Sequence, residues 1–450
     1  MLTEPSDSKV SLGMEKRFLR FLLFFVFVFI ALVSGINILV DPYRVLSFPD
    51  IRWLNADRME YGAYGRMGKA LRVMKVKPAT VILGASSAEV SFDPEHKAWQ
   101  YRPVFNLGLS GANLYEIFRY LQHSHAASPL KQVLISIVPS SINAYQSERP
   151  DFLEDRLLVN ARGNRAGLVA RRVYIFNHLL SVDALVASVR VAARNFFQDA
   201  STQSVFRGKT YTQKGRRVLG EAHRKNIVKS GGYNRRLRNG LEAFMGYLWF
   251  PLPERKFCPA APNRDTLKIF EDILRFGYEN GISLVFVVDP YHVEYSASMM
   301  ELGLYDIFEH WLQGAVALNN RMASAYGADP FPIWDFSEVG NITTEPVPSA
   351  STPEAHMKNY YDAPHFDIGI GNRILDTVLG PRLAADGEEN RFGVKLEPGN
   401  ITRHLNRARA LLMNWMAENP DTMRELSALI RDTEHERAAN PICETPSAAR

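Results

Sequence analysis

The chain has 450 residues, of which 46% are hydrophobic and 22% charged, an ordinary globular composition with apolar mass for one large domain or two modest ones. Its net charge of +5 is too small to argue for nucleic-acid binding. The two cysteines, Cys258 and Cys443, form no C-x-x-C and have no histidine cluster around them, which argues against zinc. A single disulfide between them stays open for an oxidising compartment, because sequence carries no distance.

Residues 1–16 are polar and read as a disordered cytoplasmic tail. Phe21 to Val40 is an apolar run interrupted only by Ser34, Gly35 and Asn37, close to the ~20 residues that cross a hydrocarbon core. Lys9, Lys16, Arg17 and Arg20 precede it, and Asp41-Pro42 follows. By the positive-inside rule, residues 17–41 are one membrane anchor, with the N-terminus cytoplasmic and the remaining chain across the membrane. The competing reading is a signal peptide cleaved near Val33-Ser34-Gly35. The anchor is preferred because the run continues past that point and no A-x-A follows. A buried core helix is disfavoured by five phenylalanines and the lack of a polar face. The expected location is a bacterial inner membrane, single-pass, with the C-terminal domain periplasmic.

Residues 42–76 read as a loop and then a helix whose end, Arg66–Lys75, is amphipathic. Lys77-Pro78 breaks it. Val81–Leu83 is a short continuous apolar run, the pattern of a central parallel strand. Val104–Leu107 is a second, ended by Gly108. Leu114–His123 predicts a helix with Leu114, Ile117, Phe118 and Leu121 on one face. Gln132–Val138 is a third strand, stopped by Pro139. This βαβ rhythm implies a parallel sheet with covered faces.

From 150 to 260 no buried strand is legible, and about 20 basic residues face about 8 acidic ones, a local excess near +12. The segment reads as a basic helical insertion or cap, its charge turned to a pocket or to the membrane surface. The sheet pattern then resumes. Thr266–Asn280 predicts a helix, Ile282–Val288 a strand stopped by Asp289-Pro290, Ile307–Tyr326 a long helix and Ile333–Phe336 a last strand. Residues 386–450 read as a C-terminal helical extension with one or two helices in 398–432 and a polar tail.

Three fragments carry chemistry. Gly84-Ala85-Ser86-Ser87 lies at the carboxyl end of the first strand, where open α/β sheets place ligands. The loop Asn106-Leu107-Gly108-Leu109-Ser110-Gly111-Ala112-Asn113 suits a backbone-amide oxyanion hole, with Asn106 and Asn113 as candidate pocket residues. Asp362-x-x-His365 sets a base beside a carboxylate that can orient it. Taken singly, each has an ordinary explanation: serines capping a helix, a Gly-rich loop, a helix N-cap. Taken together they supply a nucleophile, a base and an orienting acid. Asp289-Pro290-Tyr291-His292 ends another strand at the same sheet edge, which makes Tyr291 and His292 candidate pocket residues.

The run Lys77–Pro94 resembles the first block of the SGNH/GDSL hydrolase superfamily. It is closest to the membrane-anchored, periplasmic branch that includes the alginate O-acetyltransferase-like proteins. Val104–Gly111 resembles the second block and Tyr361–Gly369 the last, and the order of the blocks matches. So does the single anchor followed by Asp41-Pro42-Tyr43. The resemblance covers roughly residues 37–145 and 280–380. It implies a three-layer α/β/α sandwich with a parallel sheet, flavodoxin-like and of SGNH type, built from residues 42–149 and 261–385. Residue by residue it implies Ser86 as nucleophile, Gly111 as an oxyanion donor beside the amide of Ser86, His365 as base and Asp362 as its partner. Two departures stand out. Ser87 occupies the place where the branch often has arginine, and it joins the candidate pocket residues. The third block is not clear after Val138, where Ser140, Ser141 or Asn143 would have to substitute for its donor.

The expectation is therefore serine-dependent ester hydrolysis or acyl transfer, including acetyl transfer, on an extracytoplasmic glycan through an acyl-serine. No metal or organic cofactor is implied. The expected partners are the membrane through Phe21–Val40, an anionic glycan substrate and proteins of a membrane complex, with no nucleic acid. The alternatives are a catalytically degenerate scaffold of a polysaccharide modification or export complex, and a purely structural membrane protein.

Overall fold

Short apolar runs alternating with amphipathic helices dictate a sheet whose strands are buried on both sides, and the computed structural model has one. It describes residues 7–42, 46, 48–56, 65–154, 157–160, 162–164, 179–197, 210–380, 392–434 and 441–443. The chain divides into two compact units, residues 1–68 with 166–204, and residues 69–165 with 205–450.

The strands of the larger unit are β1 (Thr80–Leu83), β2 (Val104–Asn106), β3 (Gln132–Ile137), β4 (Thr210–Tyr211), β5 (Arg217–Val218), β6 (Ala260–Ala261), β7 (Arg264–Asp265), β8 (Ser283–Val288), β9 (Ile333–Asp335) and β10 (Val394–Leu396). Six of them form one sheet in the order β10-β9-β8-β3-β1-β2. Val81 is paired with Phe105 on one side and Val133 on the other, and Val133 with Leu284. All pairings are parallel except β9 with β10, where Trp334 opposes Lys395 in antiparallel register. Because the chain leaves β1 for β2 and then returns to the other side of β1, the strand order reverses at β1/β3. Open α/β sheets bind ligands beyond the carboxyl ends at such a point.

Side chains alternate across the pleat. Val81, Leu83, Phe105, Val133, Ile135, Leu284 and Phe286 join one buried cluster. Ile82, Val104, Leu134, Val285 and Val287 join another. Each such fully buried side chain contributes roughly 1.5–3 kcal/mol of transfer free energy. Helices start where capping residues allow. Asn113 Oδ1 accepts from the Glu116 amide at 2.9 Å, and Asp265 from the Leu267 amide at 2.8 Å, each cap worth about 1 kcal/mol.

Three expectations change. The sheet is mostly parallel, yet its edge strand β10 is antiparallel and comes from the segment read as a helical extension with a polar tail. The basic segment holds helices, at Val182–Phe197, Glu221–Lys229 and Gly232–Phe244, but also the ladder of β4 with β5. Strands of two or three residues are too short to show alternation. Residues 7–16, expected to be disordered, belong to the helix Asp7–Val40, since extending an existing helix adds a hydrogen bond for each residue ordered. The parts of these segments at 1–6, 155–156, 161, 165–178, 198–209, 381–391, 435–440 and 444–450 lie outside the described residues.

Cys258 and Cys443 are disulfide-bonded with Cα atoms 5.5 Å apart, at a sequence separation of 185. Phe257 N donates to Pro441 O beside the bridge at 2.7 Å. By chain entropy a loop of that length is worth about 5 kcal/mol, and such a bond persists in oxidising compartments.

In the smaller unit, Glu15–Val40 is a 26-residue, mostly apolar stretch, about 39 Å long at 1.5 Å per residue. This N-terminal helix is long and apolar enough to span a membrane or to be a signal sequence. Phe21, Phe24, Phe25, Phe27 and Phe29 are all exposed, so it is not a core helix.

Candidate active site

β1 ends at Gly84, whose φ is +147°. A Cβ there would meet Ala88 Cβ and Ser136 Cβ at 2.8 Å. Only glycine satisfies both the backbone angle and the crowding. The turn delivers the chain at once into the helix Ser86–Ser91, with Ser86 first. Ser86 is partly exposed while the other five residues of this helix are buried.

Several groups fix that helix. Asn106 Nδ2 donates to Ala88 O at 2.8 Å and Phe92 O at 2.9 Å. Ser91 Oγ donates to Phe366 O at 2.5 Å, which ties the helix to the histidine loop. The buried Glu89 carboxylate accepts from Lys69 Nζ and Tyr211 OH, both at 3.0 Å, and pairs with Arg217 at 3.5 Å. Lys69 also donates to Gly108 O at 2.5 Å, so one ammonium joins the helix to the loop after β2.

Asp362 and His365 share a tight loop. Tyr360 and Phe366 form an antiparallel bridge across it, and the Tyr361 amide donates to His365 O at 2.8 Å. The helix that follows is capped not by Asp362 but by Asp367, which accepts from Gly369 N at 2.8 Å. Within the loop Asp362 Oδ1 lies 2.5 Å from His365 Nδ1 and accepts from the His365 amide at 3.1 Å. His365 Nε2 lies 2.7 Å from Ser86 Oγ, 279 residues away in sequence. Asp362 Oδ2 accepts from Arg236 Nη2 at 2.8 Å.

Charge decides the protonation of this relay. Burial pushes the Asp362 carboxyl up, but His365 and Arg236 outweigh it and hold the group well below the usual carboxylate range. An ionised carboxylate only accepts, so the proton between the two belongs to Nδ1. Nε2 is left with its lone pair toward the Ser86 hydroxyl. That geometry lets His365 take the hydroxyl proton as Ser86 Oγ attacks an electrophile.

Gly111 has φ +64° and its carbonyl accepts from Gln146 Nε2 at 2.9 Å; a Cβ there would meet the Arg149 guanidinium at 2.6 Å. Asn106 holds the helix as described, and its Oδ1 accepts from Gly108 N at 3.0 Å. Asn113 caps its helix and donates to Gln146 O at 2.8 Å. Asn143 donates to Trp249 O and Lys256 O at 3.1 and 3.0 Å. Ser141 Oγ donates to Val138 O at 2.7 Å, and Ser140 is buried. Tyr291 OH donates to Ile137 O at 2.9 Å, and His292 Nε2 lies 2.8 Å from Glu345 O. The polar atoms of these residues hold loops and strand ends together.

Ser87 leads to a group that sequence reasoning passed over. Its Oγ donates to Asp289 Oδ2, and Ser136 Oγ donates to both Asp289 oxygens at 2.8 and 2.9 Å. Asp289 is fully buried, and burial pushes its carboxyl up to about 7 against the pull of the two serine hydroxyls. In the fold the ionised form is thus disfavoured relative to the unfolded chain. The penalty is absent below the usual 3.8 and complete above about 7, so stability falls as pH rises through that window, by up to about 4 kcal/mol. Asp289→Asn removes the titration. Urea unfolding at a series of pH values should show the stability difference, variant minus wild type, climbing between about pH 4 and 7. A flat difference would contradict an ionisable buried Asp289.

Two more groups approach the relay from the basic segment. Arg236 bonds Asp362 while its side chain stays 43% exposed. The His223 ring lies against Tyr361, centroids 5.8 Å apart. Burial, Arg236 and Arg217 push its pKa down to about 4, so it is neutral at pH 7, and its buried Nε2 has no hydrogen-bond partner among the described residues. A scan against models of known protein families and a search of curated proteins each returned no match.

Proposed function

We propose that this protein is a serine esterase or O-acyltransferase of SGNH type, acting on an extracytoplasmic glycan from a single-pass membrane anchor. The observation that carries the reading is the hydrogen-bonded chain Ser86 Oγ, His365 Nε2, His365 Nδ1, Asp362 Oδ1 at 2.7 and 2.5 Å. Strand order, apolar clusters from both strand faces and a serine directly after β1 support a flavodoxin-like three-layer sandwich. In the proposed cycle His365 accepts the Ser86 proton while Oγ attacks an ester carbonyl. The amides of Ser86 and Gly111 receive the oxyanion. His365 returns the proton to the leaving alkoxide, and an acyl-serine remains. Water then gives hydrolysis and a sugar hydroxyl gives transfer. Arg236, half exposed beside the relay, supports an acceptor that carries a carboxylate.

The second reading, a scaffold that keeps the fold without turnover, is favoured by one observation. The side-chain amides of Asn106, Asn113 and Asn143 all donate inside the protein, and losing one oxyanion donor typically costs about 10²–10³ in rate. A charged, membrane-impermeant fluorophosphonate applied to spheroplasts separates these readings and reports the side of the membrane. Labelling of intact spheroplasts at Ser86 is expected. Labelling only after lysis would put the domain in the cytoplasm, and no labelling in either state would favour the scaffold.

A further inference from the structure

The helix Val182–Phe197 is apolar on two opposite sides. Ala184, Ser188 and Val191 are buried. Ser188 Oγ donates to Asn37 Oδ1 at 2.9 Å, and Asn37 Nδ2 donates to Leu179 O at 2.9 Å, which fastens this helix to the last turns of the apolar N-terminal helix. At about 3.6 residues per turn, Val182, Val186, Val189, Phe196 and Phe197 form a stripe on the other side. All five are exposed, Phe197 at 78%. Arg190 flanks the stripe and is exposed as well. Beside the stripe lies a groove of 450 Å³ lined by Ile36, Leu39, Val40, Trp53, Val189 and Phe196, among others. Three of these residues belong to the apolar stretch Glu15–Val40, so the groove continues the surface that a bilayer would cover.

We propose that phospholipid acyl chains cover the exposed stripe of Val182–Phe197 and fill this groove, making the helix an interfacial element clamped to the end of the anchor. The proposal rests on the anchor spanning the bilayer. Contiguous apolar surface facing water is costly and marks an interaction site, and a helix apolar on both sides is buried in protein or in lipid. The stripe combines valines with two phenylalanines and an arginine at its edge, the pattern of a helix lying at the boundary of head groups and chains. Trp53 at the groove suits the same depth, where indole rings are enriched.

The test uses the full chain in phosphatidylcholine nanodiscs. Both native cysteines are in the disulfide, so a spin label attaches only to an introduced thiol. Labels at Val189→Cys and Phe196→Cys are compared with Phe27→Cys in mid-anchor and Lys225→Cys on an exposed helix, by power saturation with oxygen and a water-soluble nickel chelate. Positions 189 and 196 should share the oxygen-favoured ratio of position 27. If they share the nickel-favoured ratio of position 225 while 27 stays oxygen-favoured, the helix is not in lipid and the proposal fails although the anchor stands. If 27 is also nickel-favoured, the anchor reading fails and the proposal falls with it. In lipid brominated along the acyl chains, the Trp53 fluorescence, read as wild type minus Trp53→Phe, should be quenched. Unquenched Trp53 emission would overturn the filling of the groove.

Discussion

Replacing Ser86 with alanine is expected to lower ester turnover by at least about 10⁴, because removing a serine nucleophile leaves only binding and the oxyanion donors to act. The measurement is steady-state hydrolysis of an activated acetyl ester by the detergent-solubilised full chain. Ser86 is the partly exposed first residue of its helix, and among the described residues its hydroxyl pairs with His365. Stability should therefore change by less than about 1 kcal/mol. Activity within tenfold of wild type, in a variant that unfolds at the same denaturant concentration, would mean that another group performs the chemistry.

The second large effect is at Asp362. Asparagine has nearly the same shape, but its amide donates where the carboxylate accepts. Facing His365 Nδ1 across 2.5 Å, it selects the tautomer that carries the proton on Nε2, which then cannot accept from Ser86. Asp362→Asn should cost about 10⁴ in kcat. Arg236→Ala acts on the same carboxylate more gently. The Asp362 pKa is depressed, with His365 and Arg236 supplying the opposing charge. Without Arg236 that depression is smaller, but a carboxylate stays ionised at neutral pH, so the neutral-pH rate of Arg236→Ala should fall far less than that of Asp362→Asn. A loss as large as that of Asp362→Asn, in a variant equally stable to urea, would mean that Arg236 does more than support the charge of Asp362.

The strands that build the sheet centre were legible because each is a short, mostly apolar run closed by glycine or proline. The serine was legible from its place after such a run, and Asp362 with His365 from their spacing. Sequence spacing left open whether the pair caps a helix. The loop closed by Tyr360 and Phe366 answers that, since the cap is Asp367. Asp289 was read only as the stop of β8 before a proline, because its serine partners are 202 and 153 residues distant. Arg236 was one arginine among many. The excess charge of its segment is partly neutralised internally, by Glu89 at Arg217, Asp367 at Arg224, Asp362 at Arg236 and Glu294 at Arg238. Such pairings arise from tertiary placement, which composition does not encode. The short strands β4, β5 and β10 escaped because their partners, not their own residues, make them strands.

The central claim is that Ser86 carries an acyl group during the reaction. Its most direct test is to incubate the full chain with an activated acetyl ester, quench in acid within the first turnovers, digest, and determine by mass spectrometry which peptide has gained one acetyl group. The account predicts the acetyl on Ser86, absent in Ser86→Ala and greatly reduced in His365→Ala. An acetyl group on a different residue, or turnover of the ester with Ser86 never modified, would contradict it.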